Sequence, residues 1–482
     1  MKTTLLKILC LALALVMVLG VTGCQSNQTA NTDSFSEDAG DFDIGGNTDS
    51  SGGDVSLNDD VSDASSGNTS KATVANADSL TFNQLVAQMP ASLRGTTVYM
   101  YNWNPVKDYG ADSVVTKFEK LTGIKVKWEA GGYDDYDQKI AAMINAGDSP
   151  DIIRFRDTNV HRMYLCQDIK SATGFDFSGA IWDQKVNKQY VVKNKLYAVN
   201  LKDTLFNQPY VMIYRKSMID KYKFEDPYEL WKSGKWTWDA FINILKSTKD
   251  STFNGDPWRT SMGIDYFYFT GKNIIKFDGN KYTNDLMSKD LSAAMKKICD
   301  YRKSGYTSSA MRMPKDFENG SVLFQTFNAI ATRRTNTSAK IVQAKADGDL
   351  YCVPTPTIKG AENVQLFSEL EAYGVPKGAK NPGAVYYFLR YLLDEANYDA
   401  NTFFCNKQAY EVYKASMAKS TYFIPGDSAL LDVVGTGGNL AGISDFARNG
   451  NDFAQFDSKR NELKPTYDLA VKKANEVIAK MN

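Results

Sequence analysis

Five segments of alternating character between Thr96 and Phe155 restrict this chain more than any other feature of its 482 residues. "TTVYMYNW" (Thr96–Trp103) is a β-branched and aromatic run with the composition of a strand. In Gly110–Leu121, Val114, Phe118 and Leu121 recur at helical spacing, and Gly123 follows as a stop signal. "IKVKW" (Ile124–Trp128) alternates as a second strand. Asp134–Ala146 places Tyr136, Ile140, Met143 and Ile144 on one helical face, and "DIIRF" (Asp151–Phe155) is a third strand. Strand, helix, strand, helix, strand in under ~65 residues is the pattern of a parallel sheet with crossover helices, so an α/β architecture is predicted.

In open sheets of this kind, ligands bind in the crevice beyond the carboxyl ends of the strands. Gly147 ends the second helix and Pro150 bars its continuation, so "GDSP" feeds a strand that stops at "RFRD". Asn102, Trp103 and Asn104 after the first strand, and Arg156, Asp157 and Thr158 after the third, are expected at a ligand crevice; turn formation is their alternative role. From about Thr81 onward roughly 400 residues remain, too many for one core, so at least two domains are expected.

The N-terminus has a different character. Met1–Cys24 reads as an export signal, with Lys2 and Lys7 before a nearly all-apolar run from Ile8 to Val21. The run closes on "VTGC", which resembles the lipobox of bacterial lipoproteins and implies lipidation of Cys24 and a membrane anchor on the extracytoplasmic face. A plain cleaved signal or an uncleaved anchor is the alternative. No later stretch reaches ~18 uninterrupted apolar residues, so no further span is expected. Residues 25–80 are rich in Ser, Asn, Asp and Gly, with eleven acids against the single base Lys71; such a segment cannot offset its ordering entropy and is expected to be a flexible tether. Setting aside signal and tether leaves 53 bases against 45 acids, about +8, where the whole chain is balanced at 56 each. The absence of a dense Lys/Arg run argues against nucleic acid, and the excess suits an anionic cell surface. Cys166, Cys299, Cys352 and Cys405 are widely separated with no zinc-type spacing, which leaves disulfides and buried thiols both open.

"YDDYDQKIAAMINAGDSPDII" (Tyr133–Ile153) is very similar to the helix-Gly-Asp-x-Pro-Asp-strand motif of extracellular solute-binding proteins, family 1, the maltose-binding-protein-like subunits of ABC importers. Further landmarks follow in the family's order: "LYAVNLKDTLFNQPYVMIYRK", "WTWDAFINILKSTK" (Trp236–Lys249), "FENGSVLFQTFNA" (Phe317–Ala329), "VPTPTIKG" (Val353–Gly360) and "YGVPKGAKNPGAVYYFLRYLL" (Tyr373–Leu393). The resemblance implies a type II periplasmic-binding-protein fold, two α/β lobes joined by a hinge with the ligand cleft between. It puts 81–200 plus 366–397 in lobe 1 and 201–365 plus 398–482 in lobe 2. It further implies a monomeric cell-surface lipoprotein that captures a solute, an oligosaccharide first, and delivers it to ABC permease subunits by hinge closure, with no cofactor and no bound metal.

Sugars present apolar faces and hydroxyl rims, and aromatics make up 12% of this chain. By residue type and by position against the family, Trp103, Asn102, Asn104, Asp157, Arg156, Asn200, Trp258, Tyr266, Phe327, Arg333 and Glu371 are the ligand-binding candidates. Phe327 stands where sugar binders often carry Trp. Trp236 and Trp238 open a helix and are expected to pack its N-terminus. "KFDGNKYTND" (Lys276–Asp285) has calcium-like spacing but lacks the glutamate at position twelve, and its Asp-Gly centre predicts a β-hairpin. A surface-anchored hydrolase is the rival class; the single histidine, His161, with no GxSxG elbow and no HExxH, argues against it, while paired carboxylates leave glycoside hydrolysis open. The positive charge keeps a sugar phosphate or acidic sugar in play, and peptides and polyamines are the other non-sugar alternatives.

Overall fold

The computed structural model describes residues 74–133, 135–260, 274–303, 314–334, 341–356, 368–369, 371–419, 430–431, 433–434, 442–443, 446 and 452–481. Cys24, the signal, the tether up to residue 73 and Tyr266 lie outside the described residues.

The first lobe opens with α1 (Phe82–Ala87), whose Thr81 and Gln84 form a reciprocal capping box. Then follow β1 (Thr97–Asn102), α2 (Asp112–Thr122), β2 (Lys125–Ala130), α3 (Tyr136–Asn145), β3 (Ile152–Phe155) and α4 (Val160–Tyr164). Gly123 closes α2 in the left-handed region at φ 74°, where a side chain would be strained. A short hairpin, β4 (Val191–Val192) and β5 (Lys195–Leu196), precedes the crossing into the second lobe. There the chain forms β6 (Gln208–Arg215), α5 (Trp238–Lys249), β7 (Asp256–Thr260), β8 (Ile275–Phe277), β9 (Tyr282–Asn284), α6 (Lys289–Lys303), β10 (Val322–Asn328) and β11 (Leu350–Pro354). It returns through β12 (Ser368–Glu369) to β13 (Ala372–Gly374) and α7 (Pro382–Leu392), then crosses again to α8 (Lys407–Lys419) and ends in α9 (Phe456–Lys480).

The first sheet has the order β13–β3–β1–β2, with β1 parallel to both β2 and β3 and β13 antiparallel to β3. The second is β11–β6–β10–β7, with β12 paired to the start of β6. Each sheet buries its own helices. All of α7 is buried, with Phe388 edge-on to Phe118 of α2 at 5.2 Å. On the second sheet, Phe241 of α5 meets Trp258 at 5.2 Å and Phe324 at 5.6 Å. β8 and β9 form the antiparallel hairpin expected of the Asp-Gly turn, with Asp278 Oδ1 accepting from the amides of Asn280 and Lys281.

The tether boundary moves. Asp78, inside the expected 25–80 segment, is docked: its carboxylate accepts from the Trp182 indole at 2.9 Å, the Gly179 amide at 3.1 Å and the Tyr386 hydroxyl. Three donors from the first lobe supply the fixed contacts that composition alone does not reveal.

Candidate functional site

The carboxyl ends of β1, β2 and β3 converge on one cluster. Tyr136 ties the first and third strands, donating its hydroxyl to the Tyr101 carbonyl at 2.7 Å and accepting the Arg154 amide at 3.0 Å. After β2 the chain runs through Gly131, where a Cβ would fall inside the Tyr101 phenol, so glycine alone allows this close approach. The turn presents Tyr133, 44% exposed, whose ring stands edge-on to Trp103 at 5.5 Å.

Trp103 is buried at 5% exposure, with Tyr136 edge-on at 4.8 Å and the Arg154 guanidinium 4.2 Å from its ring centroid. Arg154 also donates to Asn104 Oδ1 at 2.7 Å. Asn102 Oδ1 in turn accepts the Asn104 amide at 3.1 Å and Asn102 Nδ2 donates to the Tyr109 hydroxyl at 3.2 Å, so Asn102 is wholly buried and shapes the loop. Asn104, Arg156 and Asp157 are half-buried at the rim. Arg156 lies over the Tyr133 ring at 5.2 Å. Burial pushes the Asp157 carboxyl above its ordinary pKa, against the pull of Arg162 and Arg156. Its Oδ1 accepts the Asn159 amide at 3.1 Å, while Asn159 and Arg162 hold Asp137, the latter through Nε at 2.5 Å.

Behind this rim lie the crossings between lobes. Glu371 is wholly buried and accepts from Arg154 Nε at 2.6 Å, from Arg154 Nη2, and from Gln208 Nε2 at 2.8 Å. Asn200 donates to Asn207 Oδ1 at 2.8 Å, and the Glu371 amide shares that acceptor at 3.3 Å. Arg333 donates Nη2 toward the carbonyls of Leu205, Phe206 and Asn207. The site and the hinge are thus one network joined at Arg154.

Of the residues singled out from sequence, Trp103, Asn102, Asn104, Arg156 and Asp157 come together at the strand ends. Asn200, Arg333 and Glu371 come together at the crossings, where all three hold the Leu205–Asn207 segment: Asn200 and the Glu371 amide through the Asn207 side chain, Arg333 through the carbonyls. Trp258 is a correction: it is wholly buried in the second lobe, donating its indole N–H to Thr326 Oγ1 at 3.0 Å under Trp238 and Phe241, so it packs the core. Phe327 is buried on β10 opposite Val211, and strand alternation turns it from the face that Thr326 shares with Trp258. Trp236 and Trp238 do pack the start of α5, with Trp236 donating to the Pro354 carbonyl at 2.8 Å. Sequence reasoning did not single out Tyr133, Arg154 or Arg162; the pattern "GGYDDYD", an aromatic between a glycine pair and acids, is the one local signal for Tyr133. The four cysteines Cys166, Cys299, Cys352 and Cys405 are free and buried.

Two α/β lobes on separate sheets, joined by adjacent crossings with polar and aromatic strand ends beside them, define a hinged solute-binding protein. The chain belongs to the bacterial extracellular solute-binding protein family, whose sequence profile matches residues 113–403. It is 24% identical over 357 residues to the diacetylchitobiose binding protein DasA of Streptomyces coelicolor, spanning 69% of this chain and 73% of that one. Among solved structures it resembles the GacH receptor of Streptomyces glaucescens, determined unliganded and with acarbose, at a TM-score of 0.53 and 16% identity over 77% of this chain and 98% of that one. A Listeria monocytogenes ABC substrate-binding protein in complex with cycloalternan matches at 0.50 and 17%, over 80% and 98%. These structural likenesses establish the fold; family membership establishes extracellular solute capture as the class of activity.

Proposed function

We propose that this chain captures an uncharged oligosaccharide outside the cell, closes its two lobes on it by hinge bending, and releases it unchanged to ABC permease subunits. In this reading it works as a monomer held to the membrane through a lipid on Cys24, with the first lobe taking 81–200 plus 366–397 together with the docked stretch at Asp78, and the second 201–365 plus 398–482, whose last helix, α9, packs back against the first lobe. One observation carries the choice of an uncharged solute: the arginines at the strand ends are matched in number by carboxylates. Arg154 is paired with Glu371 and Arg162 with Asp137, and Arg156 is followed in the chain by Asp157. An acidic sugar or a sugar phosphate needs an uncompensated cation, and this cluster is charge-balanced although the globular chain as a whole is positive. Tyr133 offers an exposed ring for an apolar sugar face, and Asn104 and Asp157 offer hydroxyl partners beside it. The names of the relatives, which bind diacetylchitobiose, acarbose and cycloalternan, support the same class.

The test is calorimetric titration of the full-length protein in detergent with N,N′-diacetylchitobiose, acarbose, maltotetraose, a uronic-acid oligomer, a sugar phosphate, a peptide and spermidine. Binding of a neutral oligosaccharide, weakened at least tenfold by Tyr133→Ala and by Asp157→Ala, is the expected result. Binding of a charged solute in its place would overturn the proposal.

A further inference from the structure

The turn that carries Asp157 has both of its carbonyls taken by buried tyrosines. Tyr190, from the first lobe, donates to the Asp157 carbonyl at 3.2 Å. The Thr158 carbonyl accepts from the hydroxyl of Tyr282, at 2.8 Å, and Tyr282 lies more than a hundred residues further along the chain on β9. Tyr282 is 2% exposed and is itself fixed three ways. Its ring stacks on Phe277 of β8 at 4.5 Å. Its backbone N–H donates to Asn475 Oδ1 at 2.8 Å, and its carbonyl accepts from Asn475 Nδ2 at 3.0 Å, so one side-chain amide of α9 stands in for a neighbouring strand. Asn284, two residues on, donates to Asp468 of the same helix at 2.8 Å.

The helix is in turn fastened to the first lobe. Its buried stripe, Tyr467, Ala470, Ala474 and Ile478, recurs at helical spacing, and it packs against α4, which begins at Val160 just after the Asp157–Thr158 turn. Lys193, in the β4–β5 turn, donates to the carbonyls of Ala479 at 3.2 Å and Met481 at 2.8 Å, satisfying acceptors that a helix end leaves unpaired. Hairpin and helix together form a strap across the first lobe's strand ends.

We propose that Tyr282 is a positioning residue of the solute site, holding the Asp157 carboxylate in place through the Thr158 carbonyl, with Asn475 holding Tyr282. The inference rests on the reading that Asp157 meets the solute. Two fixed carbonyls set the peptide planes on either side of Thr158, and with them the direction in which Asp157 leaves the backbone. Releasing one lets the turn sample other orientations, which the solute must then reselect on binding.

Tyr282→Phe in the full-length protein removes the hydroxyl and keeps the stacked ring; Asn475→Ala removes the clamp on Tyr282 without touching the tyrosine. In the free protein, hydrogen–deuterium exchange of the amides from Asn159 to Leu165 should speed up several-fold in both variants. Titrated with N,N′-diacetylchitobiose, both should bind about tenfold more weakly than wild type. A purely structural role gives a lower Tm with unchanged exchange at 159–165 and unchanged affinity, and that result overturns the inference. If wild type fails to bind any sugar, the capture reading fails, while unchanged or faster exchange at 159–165 still decides against or for the strap.

Discussion

Glu371→Gln removes one charge from the junction of site and hinge and leaves the shape nearly unaltered. The wild-type carboxylate accepts two bonds from Arg154, one from Gln208 and a longer one from the Tyr373 hydroxyl at 3.4 Å. Arg154 is 2% exposed; burial pulls its pKa down, but the neighbouring Glu371 outweighs this and holds it above its ordinary value. An arginine guanidinium is not deprotonated in proteins, so it stays charged in the variant even without its partner, facing an amide whose N–H₂ is a donor where an acceptor stood. Breaking a buried pair by removing one partner costs about 3–5 kcal/mol. With an unfolding entropy of about 2.1 cal/mol/K per residue over roughly 400 residues, a loss of about 4 kcal/mol lowers Tm by about 5 °C. Scanning calorimetry of both proteins at low and at ~1 M salt checks this, and the difference should persist at high salt because the pair lies out of reach of screening ions. A fall below about 1 °C, or one that vanishes in salt, would refute the claim that Glu371 neutralises a buried cation.

Three further outcomes are expected. His161 is the chain's single histidine, and burial pulls its pKa down to about 4, with Lys473 on α9 adding to the fall and Asp137 opposing it. The unfolded chain binds a proton that the folded ring refuses, so stability is lost as pH falls from about 6.5 toward 4, by about 3 kcal/mol in full. His161→Leu should flatten urea-denaturation stability against pH across that window, and an unchanged slope would contradict the assignment. Thr326→Val removes the hydroxyl that the Trp258 indole donates to, which should cost about 1–3 kcal/mol in the same denaturation assay while solute affinity stays unchanged; a weakened affinity would return Trp258 to the site. Burial pushes the thiols of Cys299 and Cys405 up to about 11 and those of Cys166 and Cys352 higher still. Mass spectrometry after iodoacetamide treatment at pH 8 should find these four unmodified in the native protein and modified in guanidinium.

The first lobe's strands and helices were legible because they are local: each of the five segments from Thr96 to Phe155 appears within a residue or two of its expected bounds. The strand-end loops were legible for the same reason, since "YNWNP" and "RFRD" follow strands whose direction the βαβ pattern fixes. What could not be read was who partners whom across the chain. Glu371 and Arg154 are 217 positions apart, and no spacing rule links a carboxylate after one crossing to an arginine inside an earlier strand. Trp258 shows the converse error. A tryptophan after "GDP" reads as a loop residue, but the stretch pairs in parallel with β10 and becomes a buried strand, a tertiary fact. The tether boundary failed at Asp78 because a polar residue with three donors waiting for it has the same letter as one in solvent.

Arg154 also limits what a solute can do to the hinge. A solute bound at micromolar affinity supplies about 8 kcal/mol, and part of that goes to ordering the partners. Pulling Arg154 from Glu371 during closure would consume about 3–5 kcal/mol of it, because the separated charges remain buried. A closing motion that keeps the pair intact leaves that energy for solute contacts, so the crossing strand at Glu371 is expected to stay fixed to β3 in the closed, solute-bound form. Trp103 rests on Arg154, and Asn104 is bonded to it, so both move with that same rigid block. The opposite side of the crossing is held differently: one nitrogen of Arg333 lies within reach of three successive carbonyls, at 3.0, 2.9 and 3.3 Å, and can exchange acceptors without losing all of them. The angular change of closure is therefore expected at Leu205–Asn207, between the Arg154–Glu371 pair and an arginine with three carbonyls in reach, and backbone dihedral changes confined elsewhere in a solute-bound structure would refute this.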